Sequence, residues 1–459
     1  MKIMVLMLVL SLAVASCHKD SGKRANPFDN GDREDSFLRV ETRSNADTLF
    51  LSWEEVDATL DFDSYRIVSD KPEQTMQQGR EATGCLLTHV PYGEPVSVEI
   101  SAMKGGQVVG TARVERTIDG LDRVFASMLL PDHGSVTSGD GTYSIALPDG
   151  RSIFLMGDSF TATVTGGARP RNAHMYRNSY ILWDNGHVSA ITGHTPDGGE
   201  ISAAVPPGYE TFESKWYWPG HGFVHDNKLY IFQTLMYNGG DGMWGFRYEK
   251  THLLRYALPG VTLENTSDIP FSGSSDVHYG MAALDDGSYI YIYAQVDTQS
   301  SPGSEVLAAR TTIGNLYTQW EYWNGSVWSA SPSDAVKLAG LAGVAVCSQF
   351  NVFKLHGKYV LLTQNKNLFS PTGGEIYTFT SNNPQGPWGN KKTIFDTYEN
   401  KPPYNLMTYN AMAHPQFERE GLVPVSYNVN TEDGNRQADD VSTYRPRFFW
   451  VEIDRILNN

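Results

Sequence analysis

The chain has 459 residues, 52 of them acidic and 36 basic, for a formal net charge of −16. A surface that negative repels phosphate backbones, so nucleic acid is excluded as an expected partner and a neutral or cationic ligand fits better. The 40% hydrophobic content can fill ordinary cores, the length suggests two or three domains, and 43 Gly with 24 Tyr suit a turn-rich all-β protein.

Met1 and Lys2 precede an apolar stretch from Ile3 to Leu10, and the small residues Ala13, Ala15 and Ser16 lead into Cys17. This pattern predicts a secretory signal over 1–16, too short for a stable membrane span. Val14-Ala15-Ser16-Cys17 resembles a bacterial lipobox. That resemblance implies lipidation of Cys17 and a place in the cell envelope, anchored at the outer membrane and facing the periplasm or the surface. Residues 17–35 are polar without an apolar period and read as a tether. Cys85 and Cys347 fall in strand-like apolar contexts of different predicted domains, so they are expected in cores. Neither a disulfide framework nor zinc spacing follows from them.

Residues 36–117 carry short alternating strands, LFLSWEEV, DSYRIVS, GCLLTHV and VSVEISAMKGGQVVGTARVE, between polar or Gly-containing turns. Trp53 and Tyr65 are placed like the core aromatics of a fibronectin type III or Ig-like sandwich, which this segment resembles. A spacer role is expected for it. Thr117-Ile118-Asp119-Gly120 reads as the hinge into the next domain.

From 121 to 456 a hairpin pattern returns five times: YSIALPDGRSIFLMGD, GHGFVHDNKLYIFQT, YGMAALDDGSYIYIYAQ, SQFNVFKLHGKYVLLTQ and AMAHPQFEREGLVPVSYN. The turns centre on Gly150, Asn227, Gly287, Gly357 and Gly421, roughly 70 residues apart, which suits one four-stranded blade plus long loops. The pattern predicts an all-β chain in which the sandwich is followed by a five-bladed β-propeller. RPRFFWVEID, near the chain end, is placed to close the ring. No segment has a helical period of any length.

In a blade, the start of strand one and the end of strand two lie together on the face opposite the hairpin turn. In blade one these positions hold Asp140 and Asp158. A three-residue loop, Pro148-Asp149-Gly150, pairs the two aspartates directly, whereas a two-residue loop at Asp149-Gly150 turns them to opposite faces. Adjacent carboxylates repel when both are ionised, so one holds its proton near neutral pH. Cleavage of a glycosidic bond needs that arrangement, with one protonated acid and one carboxylate acting as nucleophile or base. A turn-capping Asp140 and a strand-end Asp158 are the alternative.

The other blades bring polar and aromatic groups to the same face. Trp218 and His221 come from blade two, His278 and Tyr279 from blade three, Gln349 from blade four, and Asn410, His414, Tyr427 and Asn428 from blade five. Sugar C–H faces pack on aromatic rings while hydroxyls need fixed partners, so these residues are the expected substrate contacts. Glu305 and Glu375 each open a third strand and stand as reserve acids. No metal or cofactor is required by spacing, and an axial ion held by His278 with water is left open. No phosphate loop, HExxH or G-x-S-x-G element competes, and the repeated S-x-D-x-G-x-T-W box of sialidases does not occur.

SGDGTYSIALPDGRSIFLMGDSF, WPGHGFVHDNKLYIF, SNNPQGPWG and the late YNAMAHPQF with GLVPVSYNVN resemble a family of five-bladed propellers associated with endo-D-arabinanase-type glycoside hydrolases. The resemblance spans roughly residues 121–456 and implies Asp140 and Asp158 as the catalytic pair. The expectation is therefore a surface-tethered, monomeric glycoside hydrolase acting on an arabinan-like or related furanosidic polysaccharide. The competing expectation is a non-catalytic glycan-binding lipoprotein of a polysaccharide uptake system.

Overall fold

The computed structural model describes residues 37–209, 214–242, 244–271, 276–296, 305–341, 343–368 and 370–458. The signal, Cys17 and the tether lie outside the described residues. The chain divides into two compact units meeting at Gly120 and Leu121. In each, period-two patterning decides what is buried.

The first unit consists of two antiparallel sheets. One pairs Leu38–Asn45, Thr48–Glu55 and Gly84–Leu87; the other orders Glu73–Gly79, Ser64–Asp70, Pro95–Lys104 and Gln107–Thr117. Alternation in TLFLSWEE sends Leu49, Leu51 and Trp53 inward and their neighbours to solvent. Trp53 meets Tyr65 edge-on at 5.3 Å. Each aromatic also satisfies its polar atom: the indole N–H donates to the Ala82 carbonyl at 3.0 Å and the Tyr65 hydroxyl to Glu55 at 3.1 Å. Cys85 is buried in this core as a free thiol.

Among the described residues the second unit carries five antiparallel sheets of three to five strands in chain order, named here sheets one to five, and two two-stranded ribbons, Ser138–Gly139 with Ser159–Phe160 and Gly193–His194 with Glu200–Ile201. Their first strands are Tyr143–Ala146, Lys215–His225, Val277–Asp285, Asn351–Leu355 and Met407–Ala413. The second strands are the most buried; all of Ser152–Met156 is enclosed. First strands of different sheets meet. The Tyr143 hydroxyl donates to the Met281 carbonyl at 2.6 Å, and the Asn351 amide to the Ala413 carbonyl at 2.9 Å. His414 Nδ1 lies 2.7 Å from Ser144 Oγ, linking the fifth sheet back to the first. The start of the unit is stitched to its end. The Asp122 N–H donates to the Phe448 carbonyl at 2.7 Å, and the Trp450 indole to the Asp122 carboxylate at 2.8 Å.

Three first strands share an irregularity absent from a plain hairpin reading. Register shifts occur between Pro219 and Gly222, between Tyr279 and Ala282, and between Tyr409 and Met412. Gly280 and Asn410 sit at positive φ there, +95° and +52°. A Cβ on Gly220 would stand 2.4 Å from the Gly280 carbonyl oxygen, so the neighbouring strands approach too closely for a side chain. Such bulges re-aim side chains on either side of themselves. They set which residues face the site.

Candidate active site

The hairpin loop of sheet one is the three-residue form. The Leu147 N–H bonds the Arg151 carbonyl at 2.8 Å, and Ala146 pairs with Ser152. The same register survives the kink at Gly141 and Thr142, since Gly139 pairs with Ser159. Asp140 therefore stands opposite Asp158, its N–H donating to the Asp158 carbonyl at 3.2 Å. The Gly157 N–H donates to the Asp140 carbonyl at 2.7 Å.

The two carboxyls sit in different company. The Asp140 Oδ2 accepts from the Tyr409 hydroxyl at 2.7 Å. The residue is only half-buried by area, yet protein surrounds its carboxyl, and that loss of water pushes its pKa up from 3.8 to about 7. The neighbouring Asp158 charge adds to the rise, while tyrosine hydroxyls from Tyr409 and Tyr444 oppose it. Asp158 instead meets groups that stabilise a carboxylate. The Trp218 indole N–H donates to its Oδ1 at 2.8 Å and Arg177 reaches its Oδ2 at 3.3 Å. Arg177 in turn lies over the Trp216 ring at 4.5 Å. Near neutral pH this pair can offer one proton and one negative charge together.

Aromatic surface runs outward from Asp158. Trp218 packs edge-on against Phe246 at 4.7 Å, and Phe246 leads to Trp244 at 6.0 Å, which is 46% exposed. On the other side Gln349 and Asn410 form a bonded pair, Asn410 Nδ2 to Gln349 Oε1 at 2.8 Å. Gln349 also donates to the Pro219 carbonyl at 3.0 Å, so this pair joins sheets two, four and five. His278 stacks on Tyr248 with ring centroids 3.8 Å apart.

Four residues expected to touch a ligand are placed where they cannot. Tyr279 is buried among Phe271, Trp320 and Tyr322, because it alternates with His278 ahead of the bulge. Tyr427 is buried likewise and donates to Glu399 at 2.8 Å, a carboxylate also held by Arg447 at 2.9 Å. Asn428 is fully enclosed behind the backbone of Asn410, to whose carbonyl it donates at 3.2 Å. His414 is wholly buried between Ser144 and Ser426, at 2.7 and 2.9 Å. His221 is half-buried, with Nδ1 beside the Ala283 backbone at 2.9 Å. Burial drives the pKa of His221 down to about 4 and that of His414 to about 3, so both are neutral. Of the reserve acids, Glu305 is ion-paired with Lys337, and Glu375 opens its strand opposite Asp396.

Arg177, Tyr444 and Trp216 complete the surroundings of the acid pair without having been expected there as ligands of it. Tyr444 donates to the Asp158 carbonyl at 2.9 Å from a short helical turn, Val441–Tyr444, near the chain end. Among the described residues, no group of three or more His, Cys, Asp or Glu side chains is gathered to hold a metal ion.

Residues 122–453 match the model of the family described as Domain of unknown function (DUF5005). The chain belongs to that family. No curated protein matches the chain. Among solved structures, a Bacteroides ovatus chain named as a proposed hydrolase is 22% identical with a TM-score of 0.60, covering 72% of this chain and 89% of that one. A xylan β-1,4-xylosidase from Bacillus halodurans is 10% identical with a TM-score of 0.42, covering 70% and 53%. An exo-1,5-α-L-arabinanase from a bovine ruminal metagenomic library is 9% identical with a TM-score of 0.38, covering 69% and 93%. Of these three, the first speaks to the fold of this DUF5005 member; the other two are too distant to argue from.

Proposed function

We propose that this protein is a glycoside hydrolase whose acid and nucleophile are Asp140 and Asp158. The observation that carries the reading is the unequal pair: Asp140 is raised to about 7, while its opposite neighbour Asp158 is held by Arg177 and Trp218. Asp140 then gives its proton to the glycosidic oxygen, which takes the bonding pair as the C–O bond breaks. Asp158 supplies an oxygen lone pair to the anomeric carbon, and water later displaces it with Asp140 acting as base. Direct opposition across the strand pair holds the two carboxyls close, and a close pair favours this retaining course over one needing water between the acids.

In this reading the five sheets are the blades of a propeller, and the acid pair lies at the funnel end of blade one. The N-terminal sandwich is a fibronectin type III-like spacer, and a lipid on Cys17 tethers a monomer at the outer membrane. The substrate is a furanosidic, arabinan-like or related polysaccharide, as the motif resemblance implies, and no cofactor is needed. The aromatic run from Trp218 to Trp244 suits sugar rings.

The test is hydrolysis of an arabinan and mixed-glycan panel by wild type, Asp140→Asn and Asp158→Asn. Wild-type cleavage lost in both variants, with glycan binding retained, is the expected result. Binding without cleavage by the wild type on every glycan would make it a carbohydrate-binding protein instead.

A further inference from the structure

Asp140 sits at the end of a chain of hydrogen bonds in which every donor points toward it. Arg169, buried and lying over the Phe160 ring at 3.7 Å, donates from its two terminal nitrogens to the Gln437 backbone carbonyl at 2.6 Å and to Gln437 Oε1 at 2.7 Å. Gln437 Nε2 donates to Asn430 Oδ1 at 3.0 Å, and that oxygen also accepts the Thr431 N–H at 2.7 Å. Asn430 Nδ2 donates to the Tyr409 hydroxyl at 3.2 Å. The Tyr409 hydroxyl donates to Asp140 Oδ2 at 2.7 Å.

A guanidinium has donors only and does not lose its proton. Each amide downstream therefore has its oxygen turned to the Arg169 side and its nitrogen toward Tyr409. The phenol oxygen is left accepting from Asn430, so its hydrogen goes to Oδ2. Burial and the Asp140 charge keep Tyr409 well above its ordinary pKa, so it stays a donor. Chains of this kind also polarise each member along their direction.

We propose that the Arg169–Gln437–Asn430–Tyr409 relay occupies Oδ2 of Asp140 and so fixes Oδ1 as the atom that carries the transferable proton. Tyr409 is a positioning residue in this scheme, and Gln437 and Asn430 position Tyr409 in turn. Oδ1 lies in the space above Gly157, 2.5 Å from where a Cβ would stand. When the proton leaves Oδ1, the Tyr409 hydroxyl is already in place to stabilise the carboxylate left behind. The acid thus belongs to sheet one, while its protonation is governed from the far end of the chain, where Gln437 rides on the short helix Gly434–Asp439.

This inference rests on the hydrolase reading for its purpose but not for its test. Asp140 is titrated by the infrared C=O band of its protonated carboxyl, assigned by its disappearance in Asp140→Asn. Tyr409→Phe keeps the ring and removes the donor, so the Asp140 midpoint is expected to rise by about one pH unit. Gln437→Ala leaves Tyr409 in place but frees its hydroxyl to turn, and a smaller rise is expected. The alkaline limb of hydrolysis should move with the midpoint while KM stays put. An unmoved midpoint in folded Tyr409→Phe overturns the relay; should that variant not fold, an unmoved midpoint in Gln437→Ala overturns it. A midpoint that moves in a protein hydrolysing no glycan keeps the relay and removes the hydrolase reading.

Discussion

The Trp218 indole N–H donates to Asp158 Oδ1 at 2.8 Å across two sheets. Trp218 is usually read as a hydrophobic surface for a sugar, yet its polar edge here is committed to a carboxylate. A hydrogen bond to a charged group contributes about 1.5–3 kcal/mol. Trp218→Phe keeps the ring packing on Phe246 and removes that donor. The expected result is a fall in kcat/KM of about 10- to 100-fold with a melting temperature nearly unchanged, measured by initial rates and calorimetry. A loss confined to KM would assign Trp218 to sugar stacking instead.

Asp140 also makes stability depend on pH. Its pKa is raised from 3.8 to about 7 in the folded state, so the folded protein holds the proton more tightly than the unfolded chain. The resulting contribution is full below about pH 4, declines from there to pH 7 and is gone above it. Asp140→Asn never acquires the enclosed charge. Its melting temperature should match wild type near pH 4 and exceed it near pH 8, the gap opening across that window. Parallel melting curves for the two proteins would remove the case for a proton held by Asp140.

Much of this arrangement is visible in the sequence, for identifiable reasons. The GDG and GDS segments around PDG contain the acids and the loop that sets their register. What the sequence left open was loop length, and the Leu147 to Arg151 pairing decides it. The failures at Tyr279, Tyr427 and Asn428 share another cause. Strand position does not give facing: Tyr279 alternates with His278 and turns into the core, while Leu422–Asn430 is enclosed on both faces, so Tyr427 and Asn428 are buried whichever way they point, and bulges in three first strands shift the facing further. The signal was present as a small or left-handed residue after an aromatic or proline, in P-G-H, Y-G-M and Y-N-A. Arg177 and Tyr444 were missed for a different reason. Both lie outside the repeated hairpins, one ahead of Ser179–Asp184 and one in a helical turn, so no repeat pointed to them.

The two neutral histidines predict sensitivity to acid. His414 has both ring nitrogens bonded to serine hydroxyls in a fully buried site facing His221, Phe154 and Phe448. Its pKa falls to about 3 and that of His221 to about 4, against 6.5 unfolded. A depressed pKa contributes stability above pH 6.5 that is lost as pH falls toward those values. Asp140 works in the opposite sense over part of this range, so the Asp140→Asn background isolates the histidines. There, the melting temperature should drop steadily from pH 6.5 to 4, and His414→Gln should shrink the drop.

Gly157 offers the sharpest separation of stability from chemistry. A Cβ at this position would stand 2.5 Å from Asp140 Oδ1 and 3.7 Å from its Cγ, with the Asp140 backbone oxygen at 3.8 Å. The obstruction is the end of a side chain that can rotate, so Gly157→Ala should fold with a melting temperature within a few degrees of wild type. Rotation, however, takes Oδ1 away from the position that the proposed proton transfer requires and strains the Tyr409 contact to Oδ2. A displacement near 1 Å at a reacting atom costs about 100-fold in rate. Gly157→Ala should therefore lose at least that much kcat while binding oligosaccharide as wild type does, checked by calorimetric titration. A variant that folds, binds and turns over normally would show that Asp140 need not hold the position it occupies beside Asp158.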